Sequence, residues 1–246
     1  MKSILILDIE TDSFDVAKAN IKFIGCLDSK DNGTIFDMSL AKKKDVQNLI
    51  DKHDKIITFN GENYDLPILE RYNIKVPYYK HIDLYNVFKK RAVLIKSGGF
   101  KSYSLKNILK EVGIKDDKGE IDYNILKKES FSAEELSSIE TYLKQDLKIT
   151  KKLWDYLIEK FDNLKDFISK KDADNFKHLT SSTGAYAYKV FCNELGLEEE
   201  YLDIKGNKPY EGAFILQPQK DRAYDVLYLD FASLYPMMYV HANLFS

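Results

Sequence analysis

Four apolar residues, Ile4 to Leu7, run directly into Asp8, Ile9, Glu10 and Thr11. Side chains alternate along a strand, so an extended Ile4–Thr11 puts Asp8 and Glu10 on the face of Ile4 and Ile6, with Leu5, Leu7 and Ile9 on the other. Both faces are apolar as far as Leu7. That predicts a central strand covered on both sides, with two acids emerging at its C-terminal end. Residues 21–27 and 34–38 are two further apolar-rich runs, and the DSKDNG between them carries hairpin-turn residues, so three consecutive antiparallel strands open the fold. A lysine-rich helix is expected over 43–52. A fourth strand follows at 56–59, parallel to the first because a helix separates it from the hairpin. Strand, strand, strand, helix, strand is an α/β layout.

In the segment FNGENYDLPILERY, Pro67 suits the first turn of a helix, and Asp65 lies at or just before its start. Ser104 caps a helix that carries Leu105, Ile108, Leu109 and Val112 on one stripe and stops at Gly113. Ser132 to Glu135 form a capping box that opens a long helix reaching about residue 160. Its apolar stripe holds Ile139, Tyr142, Leu143, Leu147, Thr150, Leu153 and Trp154, with Asp146 inside the stripe one turn beyond Tyr142. Beyond Phe161 the chain is charged and irregular, until a helix runs through STGAYAYKVFCNELG to Gly196. Strands at 210–218 and 223–231, joined by QKDR, then lead into DFASLYPMMYVHANL.

The chain has 246 residues, 44% of them hydrophobic and 31% charged, which describes a globular protein of one large domain, or one domain and part of another. A net charge of −2 exerts no global pull on nucleic acid, so any such binding must come from a local patch. Cys26 and Cys192 sit far apart among apolar neighbours and read as reduced core residues, not a disulfide or a zinc site. Asp8 ends the first apolar run too early for a signal peptide. No stretch is long enough to span a bilayer, which points to the cytoplasm.

Candidate chemistry starts with the acids. Asp8 and Glu10 by themselves fit best a strand that runs out into an acidic turn at Asp12, and they also fit a cation site if further acids converge on the same point. Asp65 fits a helix cap, yet Asn60 and Asp65 leave the sheet at the end of a parallel strand, beside the end of the first. Asp146 on a buried stripe needs compensation, from a lysine or from a cation shared with the other acids. From Lys89 to Lys110 the chain carries seven basic residues and no acid, with Gly98 and Gly99 as a flexible centre. That run is either a solvated face or a track for a single strand of nucleic acid, along which Lys96, Phe100, Lys101 and Tyr103 are the expected contacts.

With these residues in hand, the chain resembles family B DNA polymerases. DIE at Asp8 to Glu10 is similar to exonuclease motif I, FNGENYD with Asn60 and Asp65 to motif II, and YLKQD with Tyr142 and Asp146 to motif III. YEGA, starting at Tyr210, is similar to the motif that links exonuclease and polymerase modules, and DFASLYP, from Asp230 to Pro236, resembles palm motif A. The three exonuclease motifs also occur in other ribonuclease H-like nucleases, so DFASLYP carries the family assignment. The resemblance implies a ribonuclease H-like mixed β-sheet flanked by helices, followed by a partial β-rich palm segment. The corresponding domains are an exonuclease over 1–160, a helical connector over 161–205 and the start of a palm over 206–246.

It also implies 3′–5′ hydrolysis of DNA ends with two divalent metal ions, Mg2+ or Mn2+, since four acids without His or Cys suit those hard cations better than zinc. Asp8, Glu10, Asp65 and Asp146 would be ligands, direct or through water. Tyr142 would orient the attacking water, Asn60 and Thr11 would position the terminal nucleotide, and Tyr210 is expected along the DNA. Asp230 would be a vestigial polymerase-site ligand, and Tyr235 resembles the residue that screens out ribonucleotides. The chain begins at motif I and stops just after motif A, without the fingers lysine motif, the second palm aspartate or the thumb. The expectation is therefore a proofreading exonuclease portion with no polymerase activity of its own. The alternative is a non-catalytic, DNA-binding half of a split or truncated polymerase, and a stand-alone repair or RNA-trimming exonuclease ranks last. Implied partners are DNA, as a single-stranded 3′ end or primer–template, and the remainder of the polymerase as a second chain. The setting would be the cytoplasm or a viral replication complex in the host cell, with no membrane.

Overall fold

A computed structural model describes residues 2–115, 119 and 121–197. The chain divides into two units, Met1–Glu200 and Tyr201–Ser246, and every described residue belongs to the first. The expected strands at 210–218 and 223–231, and with them Tyr210, Asp230 and Tyr235, lie outside the described residues.

Five strands form one sheet: β1 (Ile4–Thr11), β2 (Ile21–Asp28), β3 (Gly33–Asp37), β4 (Lys55–Thr58) and β5 (His81–Asp83), in the order β3-β2-β1-β4-β5. β1, β2 and β3 pair antiparallel, while β4 lies parallel to β1 and β5 parallel to β4. The alternation in β1 sorts the core into two layers. Ile4 and Ile6 join Ile57, Ile82 and residues of the helices α3 (Leu84–Ile95), α4 (Leu105–Val112) and α5 (Ala133–Lys160). Leu5, Leu7 and Ile9 pack on the opposite face with residues of α1 (Lys43–Asp51) and α2 (Asp65–Arg71). Asp8 and Glu10 therefore emerge on the α5 side. The capping box at Ser132 and Glu135 forms as the sequence predicts, and Ser104 and Gly113 bracket α4.

Two elements had weak sequence signals. β5 is three residues long, too short for a period, and exists because it pairs with β4 on one side. α3 takes in the first part of the basic run, which corrects the reading of that run as one exposed face. Arg91 is 1% exposed, and its guanidinium donates to the carbonyls of His178, Leu179 and Ser181, at 2.8, 3.3 and 3.0 Å. It ties α3 to α7 (Lys177–Thr180), which follows α6 (Lys170–Asp174) and precedes α8 (Thr183–Leu195). Among the described residues no helix is long and apolar enough to cross a membrane.

Candidate active site

In the β1–β2 ladder Asp8 stands opposite Gly25 and Glu10 opposite Phe23, and the register shifts between Glu10 and Thr11. Gly25 has no side chain to hold a neighbour away. A Cβ there would sit 2.7 Å from Leu143 Cγ and 2.9 Å from Leu147 Cδ1, so α5 rests directly on the strand. That close approach brings Tyr142 and Asp146 over the end of β1. Carboxylate oxygens of Asp8, Glu10 and Asp146 all lie within 4.8 Å of one another. Glu10 and Asp146 are buried and Asp8 is partly exposed. Three anionic groups packed that closely repel one another unless protons or a cation intervene.

Asp65 is the first residue of α2, an acid in its first turn, while Tyr64 holds the N-cap position. Its carboxyl lines the same pocket as the other three acids, accepts from the backbone N–H groups of Asp65 itself and Ile9, and leaves Oδ1 buried without a hydrogen-bond partner. Burial pushes its pKa up to about 7, with the charge of Asp83 adding to the rise and backbone N–H bonds opposing it. A buried carboxyl with an unsatisfied oxygen and oxygen-rich neighbours fits a hard divalent cation.

The pocket, of about 190 Å3, collects Asp8, Glu10, Thr11, Asn60, Asp65, Tyr142 and Asp146, the residues the sequence singled out for this chemistry. Tyr142 shares a hydrogen bond with the Tyr123 hydroxyl at 2.8 Å. Burial, that bond and the nearby Asp146 charge raise its pKa well above the usual tyrosine range, so it stays a neutral hydroxyl. Thr11 Oγ1 bonds the Ser13 carbonyl and the Tyr64 hydroxyl, which ties the end of β1 to α2. Asn60 sits in the left-handed region at φ 63°, and Asp83 holds that turn by accepting from the backbone N–H of Asn60 at 2.8 Å and of Glu62 at 3.1 Å.

Sequence reasoning missed Asp83, Phe14, Phe59, Tyr64 and Tyr123. Asp83 is the N-cap of α3, accepting from Tyr85 N–H, and IDLYN carries that signal. Phe14 and Tyr123 meet edge-to-face at 5.4 Å, and both line the pocket. They are 109 positions apart in sequence, and no local pattern couples them.

The four contacts expected in the basic run separate. Phe100 is buried between Phe88 and Tyr103, with ring centroids at 5.9 and 5.8 Å, so it is a core residue and offers no stacking face. Lys96 is engaged by Glu111, the first acid beyond the run. Lys101 is exposed. Tyr103 lines a groove with Phe59, Asn60 and Tyr85, of which Phe59 and Asn60 also line the acid pocket.

Asp65 makes the pH dependence testable. Its folded pKa of about 7 lies above the unfolded value near 3.8, so the folded state holds this proton more tightly. The metal-free protein therefore loses stability as pH rises from the unfolded pKa through 7. In chelator, Asp65→Asn removes that loss, giving on the order of 4 kcal/mol at pH 8 and about nothing at pH 4. Thermal denaturation at the two pH values checks the difference, and an equal effect at both would refute the assignment.

The described unit is an α/β protein with a carboxylate pocket at the ends of its central parallel strands. The chain belongs to the RNase H superfamily, whose sequence profile matches residues 5–158. It is 25% identical over 248 residues to DNA polymerase 1 of Aeropyrum pernix, covering 85% of this chain and 25% of that protein. It is 26% identical over 258 residues to DNA polymerase 1 of Sulfolobus acidocaldarius, covering 88% and 28%. The chain thus spans about a quarter of the length of these curated relatives. In fold it is similar to the family B DNA polymerase from the hyperthermophilic archaeon Pyrobaculum calidifontis, with a TM-score of 0.55 at 16% identity over 89% of this chain and 33% of that one. It is also similar to the Aedes aegypti Nibbler EXO domain, with a TM-score of 0.50 at 13% identity over 66% and 81%.

Proposed function

We propose that this chain is the 3′–5′ exonuclease portion of a family B DNA-directed DNA polymerase, removing nucleotides from a single-stranded 3′ end. The observation that carries the reading is the convergence of the Asp8, Glu10 and Asp146 carboxylates within 4.8 Å at the end of β1, on three residues that match exonuclease motifs I and III. The polymerase relatives support it across 85% and 88% of the chain. DFASLYP, with Asp230, supports the same affiliation by sequence alone.

Mg2+ or Mn2+ held by Asp8, Glu10, Asp65 and Asp146 would activate a water and stabilise the leaving 3′ oxygen. The chain's own groups set the geometry. Tyr142, kept neutral and bonded to Tyr123, presents a hydroxyl beside Asp146 that orients a water. Asn60 and Thr11 flank the acids at positions suited to the terminal nucleotide. Phe14 and Tyr123 offer aromatic faces to an unpaired base. A pocket of about 190 Å3 with that lining suits a nucleotide end.

The test is incubation of the purified chain in Mg2+ or Mn2+ with single-stranded DNA labelled at either end. Mononucleotide release from the 3′-labelled strand, with stepwise shortening of the 5′-labelled one, is the expected result. Label released as a mononucleotide only from the 5′ end, or internal cuts, would refute the polarity, and no cleavage in either metal would favour the non-catalytic DNA-binding reading.

A further inference from the structure

Lys55, the first residue of β4, is only 5% exposed. Its Nζ donates to the Tyr79 carbonyl at 2.6 Å, and among the described residues it has no ion pair with a carboxylate. Burial, with the like charges of Lys2 and Lys177, holds its ammonium below the usual lysine range against the pull of Asp54. Asp54 is itself occupied, accepting from the Ser3 N–H and hydroxyl. A buried cation pressed by two like charges and with no ion pair among the described residues is costly unless a ligand supplies the charge.

Lys55 lines a cavity of about 230 Å3 along the outer edge of β5, together with Lys90, Lys177, Tyr78, Tyr79 and His81. It shares no lining residue with the carboxylate pocket. The strand register sets its two ends. His81 pairs with Ile56, next to Lys55, whereas Asp83 pairs with Thr58 at the far end. The two acids of the lining are both engaged: Asp83 accepts from three backbone N–H groups, and Glu62 from Asn86 Nδ2 at 2.7 Å. The cation end is free to act. Lys90 Nζ donates to the Thr180 carbonyl at 3.1 Å, so Lys55 and Lys90 each keep further N–H donors for a ligand. Tyr78 and Tyr79 are 86% and 74% exposed, flat aromatic surfaces beside that end. His81, at the Lys55 end by register, has a ring 1% exposed whose Nδ1 makes no hydrogen bond and lies 3.9 Å from Glu62 Oε1.

We propose that this cavity is a second binding site, for a nucleotide phosphate: Lys55, Lys90 and Lys177 hold the phosphate, and Tyr78 and Tyr79 take the base. Ammonium groups favour a polyanionic oxygen cluster, and the exposed rings add the stacking that distinguishes a nucleotide from an inorganic ion. The phosphate could come from a free mononucleotide or from a strand. The inference is independent of the nuclease reading, because no residue is common to the two sites.

The experiment is a calorimetric titration of the full chain in chelator, which keeps the acid pocket free of cations and repellent to anions. The probes are thymidine 5′-monophosphate, thymidine and a short oligothymidylate. The monophosphate or the oligonucleotide binds, thymidine binds at least tenfold more weakly, and affinity falls with salt. Lys177→Glu, at an exposed position where the fold tolerates the change, weakens binding tenfold or more, as does Lys55→Gln. Tighter binding of the oligonucleotide than of the monophosphate, by tenfold or more, assigns a strand as the source, and comparable affinities assign a mononucleotide. Absence of binding by both phosphate probes at millimolar concentration overturns the proposal. So does binding that Lys177→Glu leaves unchanged, a result that decides the matter even if Lys55→Gln fails to fold.

Discussion

Asp8→Ala abolishes release of nucleotides from a 3′-labelled single strand, a fall of about 10^3-fold or more, while the metal-free protein melts no lower than the parent. Asp8 supplies one of three carboxylates whose oxygens lie within 4.8 Å, and removing it leaves two of that group, Glu10 and Asp146, beside Asp65. Metal-assisted charge stabilisation is worth several kcal/mol, and each ~1.4 kcal/mol is tenfold in rate. The fold is expected to survive. Asp8 is partly exposed and lies close to two other carboxylates, so its loss costs no core packing. Initial rates and a melting curve in chelator check both halves, and a mutant rate within twofold of the parent would sink the metal-site assignment.

Gly25→Val damages stability and activity together. The new Cβ would lie 2.7 Å from Leu143 Cγ and 2.9 Å from Leu143 Cδ1 and Leu147 Cδ1, so either α5 lifts or two core leucines leave their rotamers. Overpacking of this kind costs about 3 kcal/mol. At about 2–4 °C per kcal/mol for a domain of this size, the melting temperature drops by roughly 10 °C. Leu143 and Leu147 alternate along α5 with Tyr142 and Asp146, so the same lift moves the site. A displacement on the order of 1 Å costs about 10^2-fold in rate. The substitution is on β2, directly opposite Asp8, and replaces no candidate ligand. Full activity at the parental melting temperature would show that the close approach of α5 does not build the site.

Much of the frame was legible because it is written in short-range patterns. Period-two alternation in β1 announced which face carries Asp8 and Glu10, and the two core layers sort residues on that alternation. Ser104 with Gly113, and Ser132 with Glu135, mark helix ends through hydrogen bonds that span four residues or fewer or a single left-handed glycine. What failed was inference about exposure. Arg91 and Phe100 lie in an acid-free basic run, yet one is clamped by three carbonyls of the chain near α7 and the other sits in the aromatic core. Composition over a window reports average polarity. It does not report which residue turns inward.

The sequence by itself determined the α/β order of elements, the central strand with its acids at one end, the capped long helix bearing Tyr142 and Asp146, and the candidate acids themselves. All of these rest on periodicity and capping within a few residues of the chain. Only the tertiary structure decided that the Asp65 carboxyl, at the start of α2, turns into the pocket, and that Tyr123 reaches the Tyr142 hydroxyl. It also decided that Asp83 braces the turn at Asn60, and that Lys55 is buried with no ion pair among the described residues. The physical reason is common to all four. A polar group's role depends on what packs opposite it, and its partner here comes from a distant part of the chain, brought near when α5 settles on Gly25 and β5 pairs with β4.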